Sequence, residues 1–96
     1  MDKPVTYQLV LFITGASPNS VRAINNLRNI CEQYLKGVYS LEVIDVYQMP
    51  QVAAKEQIIA LPTLIRRLPD PVRRLVGDMS DTEKVLRGLG INQHRI

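Results

Sequence analysis

The run Tyr7–Ile13, YQLVLFI, constrains this chain more than any other segment, because only Gln8 interrupts a series of apolar and aromatic strand formers. A strand with one wet face alternates apolar and polar residues. A nearly continuous run fits a central strand covered on both sides, which requires helices against at least one face of its sheet. The chain is 96 residues long and 46% hydrophobic, enough for one core but not two. Residues 1–96 are therefore expected to form a single α/β domain.

The following segment, TGASPNSVRAINNLRNI, reads as a loop that feeds directly into an amphipathic helix. Ser17 is a good N-cap, and Pro18 suits the first helical position, where its missing N–H would be unpaired anyway. Val21, Ile24, Leu27, Cys31, Tyr34 and Leu35 recur at helical spacing, and Gly37 is the expected stop. YSLEVIDVY, residues 39–47, is a second strand. Leu41, Val43, Ile44 and Val46 point inward there, while Glu42 and Asp45 mark a more exposed side. The crossover is long enough to make the two strands parallel. MPQVAAKEQIIA, residues 49–60, reads as a short helix begun near Pro50 and ended before Pro62. PTLIRRL and VRRLV are two short strands joined by the PDP turn at residues 69–71. In SDTEKVLRGLG, Ser80 and Glu83 are spaced as a capping box for a last helix. The order β-α-β-α-β-β-α fits a thioredoxin-like domain.

Redox members of that fold open the first helix with two cysteines separated by two residues, where the helix N-terminus stabilises a thiolate. Here the stretch is Ala16, Ser17, Pro18, Asn19, and Cys31 falls about four turns into the helix. Cys31 lies on the apolar side and reads as a buried, inert thiol. One cysteine and one histidine provide neither an internal disulfide nor a zinc ligand set, and His94 reads as a solvated tail residue. Residues 14–20 lack the lysine and glycine spacing of a phosphate-binding loop. Ser17 and Ser20 have no general base and read as capping residues. Asp78, Asp81 and Glu83 cluster because negative charge is favoured at a helix start. No catalytic residue, metal ligand or cofactor is expected. The rival reading is a thioredoxin-like redox or glutathione-binding protein.

Charge is concentrated late in the chain. Residues 63–76 hold Arg66, Arg67, Arg73, Arg74 and one acid, Asp70, while the remainder carries eight basic and eight acidic residues. These arginines are either solvated edge charges that discourage sheet-to-sheet pairing or a docking point for an anionic partner. Nucleic acid is a poor fit, since no aromatic residue interleaves them to stack on bases. No apolar run reaches the roughly 18 to 20 residues of a membrane span, and MDKPVTYQ lacks a secretion-signal layout, so a cytoplasmic location is expected. Pro62, at the usual cis-proline position of the fold, lies close to Pro69 and Pro71. Because X–Pro bonds isomerise slowly, this half of the chain is expected to contain slow switches.

The blocks PNSVRA (18–23), GVYSLEVIDV (37–46), MPQVA (49–53), LPTLIRRLPDPVRRLVGD (61–78) and SDTEKVLRGL (80–89) together resemble the KaiB family of circadian-clock proteins. The N-terminal sensory domain of the clock kinase SasA is similar too. The resemblance implies a non-enzymatic clock or stress regulator that docks on the N-terminal ATPase ring of a KaiC-like hexamer, competes with the sensor histidine kinase for it and, in clock systems, helps capture KaiA. It also implies a metamorphic chain. A thioredoxin-like form binds the ring, and an alternative form with a rearranged C-terminal half assembles into tetramers, so monomers, dimers and tetramers are all compatible. The partner-facing basic positions correspond to Arg22, Arg67 and Arg74. Val10, Glu42 and Gln57 stand where clock members commonly carry lysines, which is expected to neutralise or reverse part of that surface. The fold-control positions correspond to Gly88 and Gly90, the latter replacing the usual aspartate. INQHRI replaces an acidic, apolar tail, and GLGINQH has weak strand propensity. This chain is therefore expected to rest mainly in the thioredoxin-like state.

Overall fold

The computed structural model describes residues 5–91. Four strands, β1 (Tyr7–Ile13), β2 (Tyr39–Asp45), β3 (Thr63–Leu68) and β4 (Arg73–Val76), form one sheet in the order β2-β1-β3-β4. Helices α1 (Pro18–Tyr34), α2 (Pro50–Lys55) and α3 (Thr82–Leu89) complete the expected β-α-β-α-β-β-α order. β1 runs parallel to β2 and antiparallel to β3, and β3 runs antiparallel to β4. The Leu61–Pro62, Leu68–Pro69 and Asp70–Pro71 bonds are all cis.

The apolar run of β1 is divided between two cores, as its composition requires. Leu9, Leu11 and Ile13 face α1 and α3, where they meet Ala23, Leu27, Ile30, Cys31, Leu64, Val85, Leu86 and Leu89. Val10 and Phe12 point the other way and pack with Ile44 and Ile65, with Val52 of α2 against them. Burying each large apolar side chain contributes about 1.5–3 kcal/mol, so a strand loaded on both faces dictates where the helices go.

Each helix departs from its sequence pattern in an instructive way. α1 starts as expected, with the Ser17 side chain accepting from the Ser20 N–H, and it ends just before Leu35, two residues ahead of Gly37. Its buried face is rotated slightly, however: Val21 is 45% exposed, while Ile30, absent from the expected stripe, is buried. α2 is much shorter than residues 49–60. It ends in a Schellman arrangement in which Gln57 takes φ +56°, its N–H reaches Ala54 O, and the Ile58 N–H reaches Ala53 O. A non-glycine residue in that conformation leaves no sequence signal, which is why the pattern of residues 49–60 does not show the early stop.

The capping box proposed for α3 is corrected. Asp81, not Ser80, is the N-cap, and its Oδ1 accepts from the Lys84 N–H at 3.1 Å. Ser80 lies one residue too early because its own N–H is held by Asp78 Oδ1 at 3.0 Å. The charged acceptor takes the capping position next to the positive end of the helix. Asp81→Ala should lower unfolding free energy by about 0.5–2 kcal/mol, whereas Ser80→Ala should cost about half a kcal/mol or less. Urea titrations followed by circular dichroism distinguish the two, and equal effects would restore Ser80 to the cap.

Candidate functional site

The start of α1, where this fold carries redox chemistry in other proteins, is closed by hydroxyl groups. Ser17 Oγ donates to Ser20 Oγ at 2.8 Å, Ser20 Oγ donates to Thr14 O at 3.3 Å, and the Thr14 N–H donates to Ser20 Oγ at 3.1 Å. Ser20 is fully buried. Ser17 caps the helix and Ser20 holds the Thr14 backbone, and among the described residues neither hydroxyl bonds a general base. A cleft of about 160 Å³ opens between β4 and the start of α3, bordered by Leu75, Asp78, Asp81 and Lys84 among others. Its acids are committed as well: Asp81 caps α3, and Asp78 serves Ser80 and Arg22. Hydrogen bonds from Ser80, with help from the Arg22 guanidinium, hold the Asp78 carboxyl below its ordinary value. Among the described residues no group of three His, Cys, Asp or Glu side chains is placed to hold a metal.

The basic positions fall into two groups. Arg67 and Arg74 project on the α2 side of the sheet and converge on the end of α2. Arg67 Nη2 pairs with Glu56 Oε2 at 2.8 Å, and Arg74 donates through Nη1 to Gln57 O at 3.4 Å and through Nη2 to Glu56 O. The strained stop of α2 at Gln57 thus has a cation on its last carbonyls, where the helix dipole favours one. Arg22 stands apart, near the start of α1. Its Nε meets Asp78 Oδ2 at 3.3 Å and its Nη2 donates to Asn19 Oδ1, while Asn26 Nδ2 donates to Asp78 O at 3.0 Å. Gln57 and Glu42 are exposed. Val10 is not part of any surface: it is only 4% exposed, in the core beside Phe12, so replacing lysine there does not alter a docking face.

Arg66 must also be removed from the set of edge cations. It is 5% exposed and donates to Leu89 O and Pro71 O at 2.8 and 2.7 Å. Its strand position explains this. Arg66 shares a face with Leu64, toward α1 and α3, while Arg67 takes the opposite face. The two glycines expected to control the fold lie close by. Gly90 takes φ +74° and ends α3, and a side-chain carbon at Gly88 would collide with the Leu75 side chain. His94 lies outside the described residues, as does the tail beyond residue 91.

Comparison with known proteins decides the family, since the model of the KaiB domain matches residues 10–91. The chain belongs to the KaiB family. The circadian clock oscillator protein KaiB of Prochlorococcus marinus strain MIT 9312 is 56% identical over 86 residues, covering 90% of this chain and 82% of that protein. Among solved structures, the N-terminal domain of Synechococcus elongatus SasA superposes with a TM-score of 0.73 at 22% identity, covering 100% of this chain and 94% of that one. Chloroplastic thioredoxin z gives 0.71 at 20% identity, covering 88% and 79%. These likenesses establish the thioredoxin-like fold, and membership of the KaiB family makes the chain a non-enzymatic clock regulator.

Cys31 agrees with that assignment. It is fully buried, and removal from water, aided by the neighbouring Glu32 carboxylate, pushes its thiol from 9.0 up to about 12. A raised value means that the protonated thiol is what the fold stabilises. That contribution is complete below about pH 9 and is lost as pH rises toward 12. In native protein at pH 8 an aromatic disulfide reagent should therefore label Cys31 very slowly, and labelling in urea should be immediate. Fast labelling of the native chain would reopen the redox reading.

Proposed function

We propose that this KaiB-family chain acts in the cytoplasm as a single-domain adaptor that docks on the N-terminal ATPase ring of a KaiC-like hexamer. The observation that carries this reading is the placement of exposed Arg22 and Arg74 and half-buried Arg67 around edge strand β4. Arg67 and Arg74 approach that edge from the α2 face, and Arg22 approaches its far end from the α1 face through Asp78. Asp78 lies four residues after Arg74 (74 to 78), just past the end of β4 at Val76. A partner reading the β4 edge would meet cations at both ends and the exposed Gln57 backbone at one of them. Such a surface suits a partner carrying separated carboxylates, with charge steering the approach and fixing the register.

Availability of this surface is governed by fold switching of the C-terminal half, with Pro62, Pro69, Pro71, Gly88 and Gly90 as control points. The docking form is the thioredoxin-like one, and a second, tetrameric form withholds it. The docking-competent fraction then multiplies the affinity measured for the ring. Capture of KaiA and competition with the SasA kinase follow from occupancy of the same ring, and the fold shared with the SasA domain is compatible with that competition.

The test is binding to a purified KaiC hexamer. Arg74→Glu should weaken association about tenfold or more and flatten its dependence on salt, because a favourable charge contact becomes repulsive. Arg22→Glu should act in the same direction. If the wild-type chain binds and both variants match it in affinity and salt slope, the β4 edge is not the docking surface.

A further inference from the structure

Arg66 is the one charged side chain among the described residues that is almost wholly buried, and no carboxylate there pairs with it. Its compensation comes from two neutral carbonyls on separate elements. Nη1 holds Leu89 O, the last residue of α3, and Nη2 holds Pro71 O in the turn between β3 and β4. Nε has no acceptor among the described residues. The C-terminal end of α3 carries the negative end of the helix dipole, which makes Leu89 O a better partner for a cation than an isolated carbonyl.

A buried guanidinium with so few acceptors is tolerated only while both are in place. Losing either leaves a charge with a single partner, so the two contacts hold or fail together. The backbone of Arg66 is anchored independently of both contacts, because it sits in the interior strand β3, opposite Leu9 of β1 and Arg73 of β4. Space is tight enough that residue 90 cannot carry a side chain undisturbed: a carbon there would lie 2.8 Å from Arg66 Nη1.

We propose that Arg66 is a clasp that makes the β3–β4 turn and the end of α3 open and close as one unit, separately from β1, α1 and β2. By doing so it sets the fraction of molecules in the docking fold, and this last step rests on the fold-switching reading above. A single buried side chain thereby couples a turn and a helix end that are 18 residues apart in sequence (71 and 89).

Hydrogen exchange on the full chain tests the clasp. In Arg66→Met, amides of residues 85–89 and of β4 should exchange roughly tenfold to a hundredfold faster than in wild type, while those of β1 change little. Arg66→Lys keeps the charge but offers a single donor group, and it should fall between the two. Leu27→Ala serves as a control that should speed exchange everywhere, because it weakens the core shared by all elements. Equal acceleration in β1 and α3, or none in either, overturns the clasp. If Arg66→Met does not fold, the same comparison with Arg66→Lys decides. Binding to a KaiC hexamer separates the two claims. Split exchange with no binding even by wild type would sink the docking reading and leave the clasp standing. Wild-type binding with unsplit exchange would do the reverse.

Discussion

Two-sided burial of β1 is the constraint from which the architecture follows. Leu9, Leu11 and Ile13 need a cover on one face, and Val10 and Phe12 need one on the other. The chain supplies two helices to the first face and only the short α2 to the second. The larger core therefore lies beneath α1 and α3, and the smaller one is closed partly by loop residues such as Ile58 and Leu61. β1 and β3 are shielded, and β2 and β4 become the edges. The early stop of α2 also places its last carbonyls within reach of Arg74, so the position of the basic cluster is a consequence of how little the second face has to cover it.

How much of this was legible in the sequence depended on whether the deciding interaction was local. The N-cap at Ser17, the parallel crossover and the two-faced strand are written within a few neighbouring residues, and each was readable. The end of α2 was not, because the turn at Gln57 uses a conformation that glycine normally advertises and glutamine does not. The start of α3 was off by one residue, since Ser80 and Asp81 are both good caps and the choice was made by Asp78, which occupies the Ser80 N–H. Val10 and Arg66 were misplaced for a single reason. Charge and family position suggest a surface, but alternation along β1 and β3 determines which face each side chain takes, and both faces are buried there.

The same alternation separates arginines of identical chemistry into two roles. Arg22 is paired with Asp78 near solvent and Arg67 with Glu56 in a half-buried setting, and a solvent-accessible pair such as the first contributes about 0–1 kcal/mol. A partner's carboxylate can replace Asp78 or Glu56 at little cost, so these internal pairs keep the arginines oriented without withholding them. Arg74 rests on backbone carbonyls at a helix end and pairs with no acid among the described residues. It is consequently the cation with most to gain from an acidic partner.

Arg66, one residue from Arg67, lies at the other extreme. Hydrogen bonds from a charged group to buried acceptors are worth about 1.5–3 kcal/mol each, and breaking one exposes the full cost of an unsolvated charge. A domain whose whole stability is about 5–15 kcal/mol cannot exchange such contacts freely. The surface arginines can therefore change partners on a stable fold, whereas any rearrangement of the C-terminal half must first release Arg66. If the chain docks and switches fold as proposed, this division keeps recognition cheap and conformational change costly, because the surface contacts exchange with water and the Arg66 contacts do not.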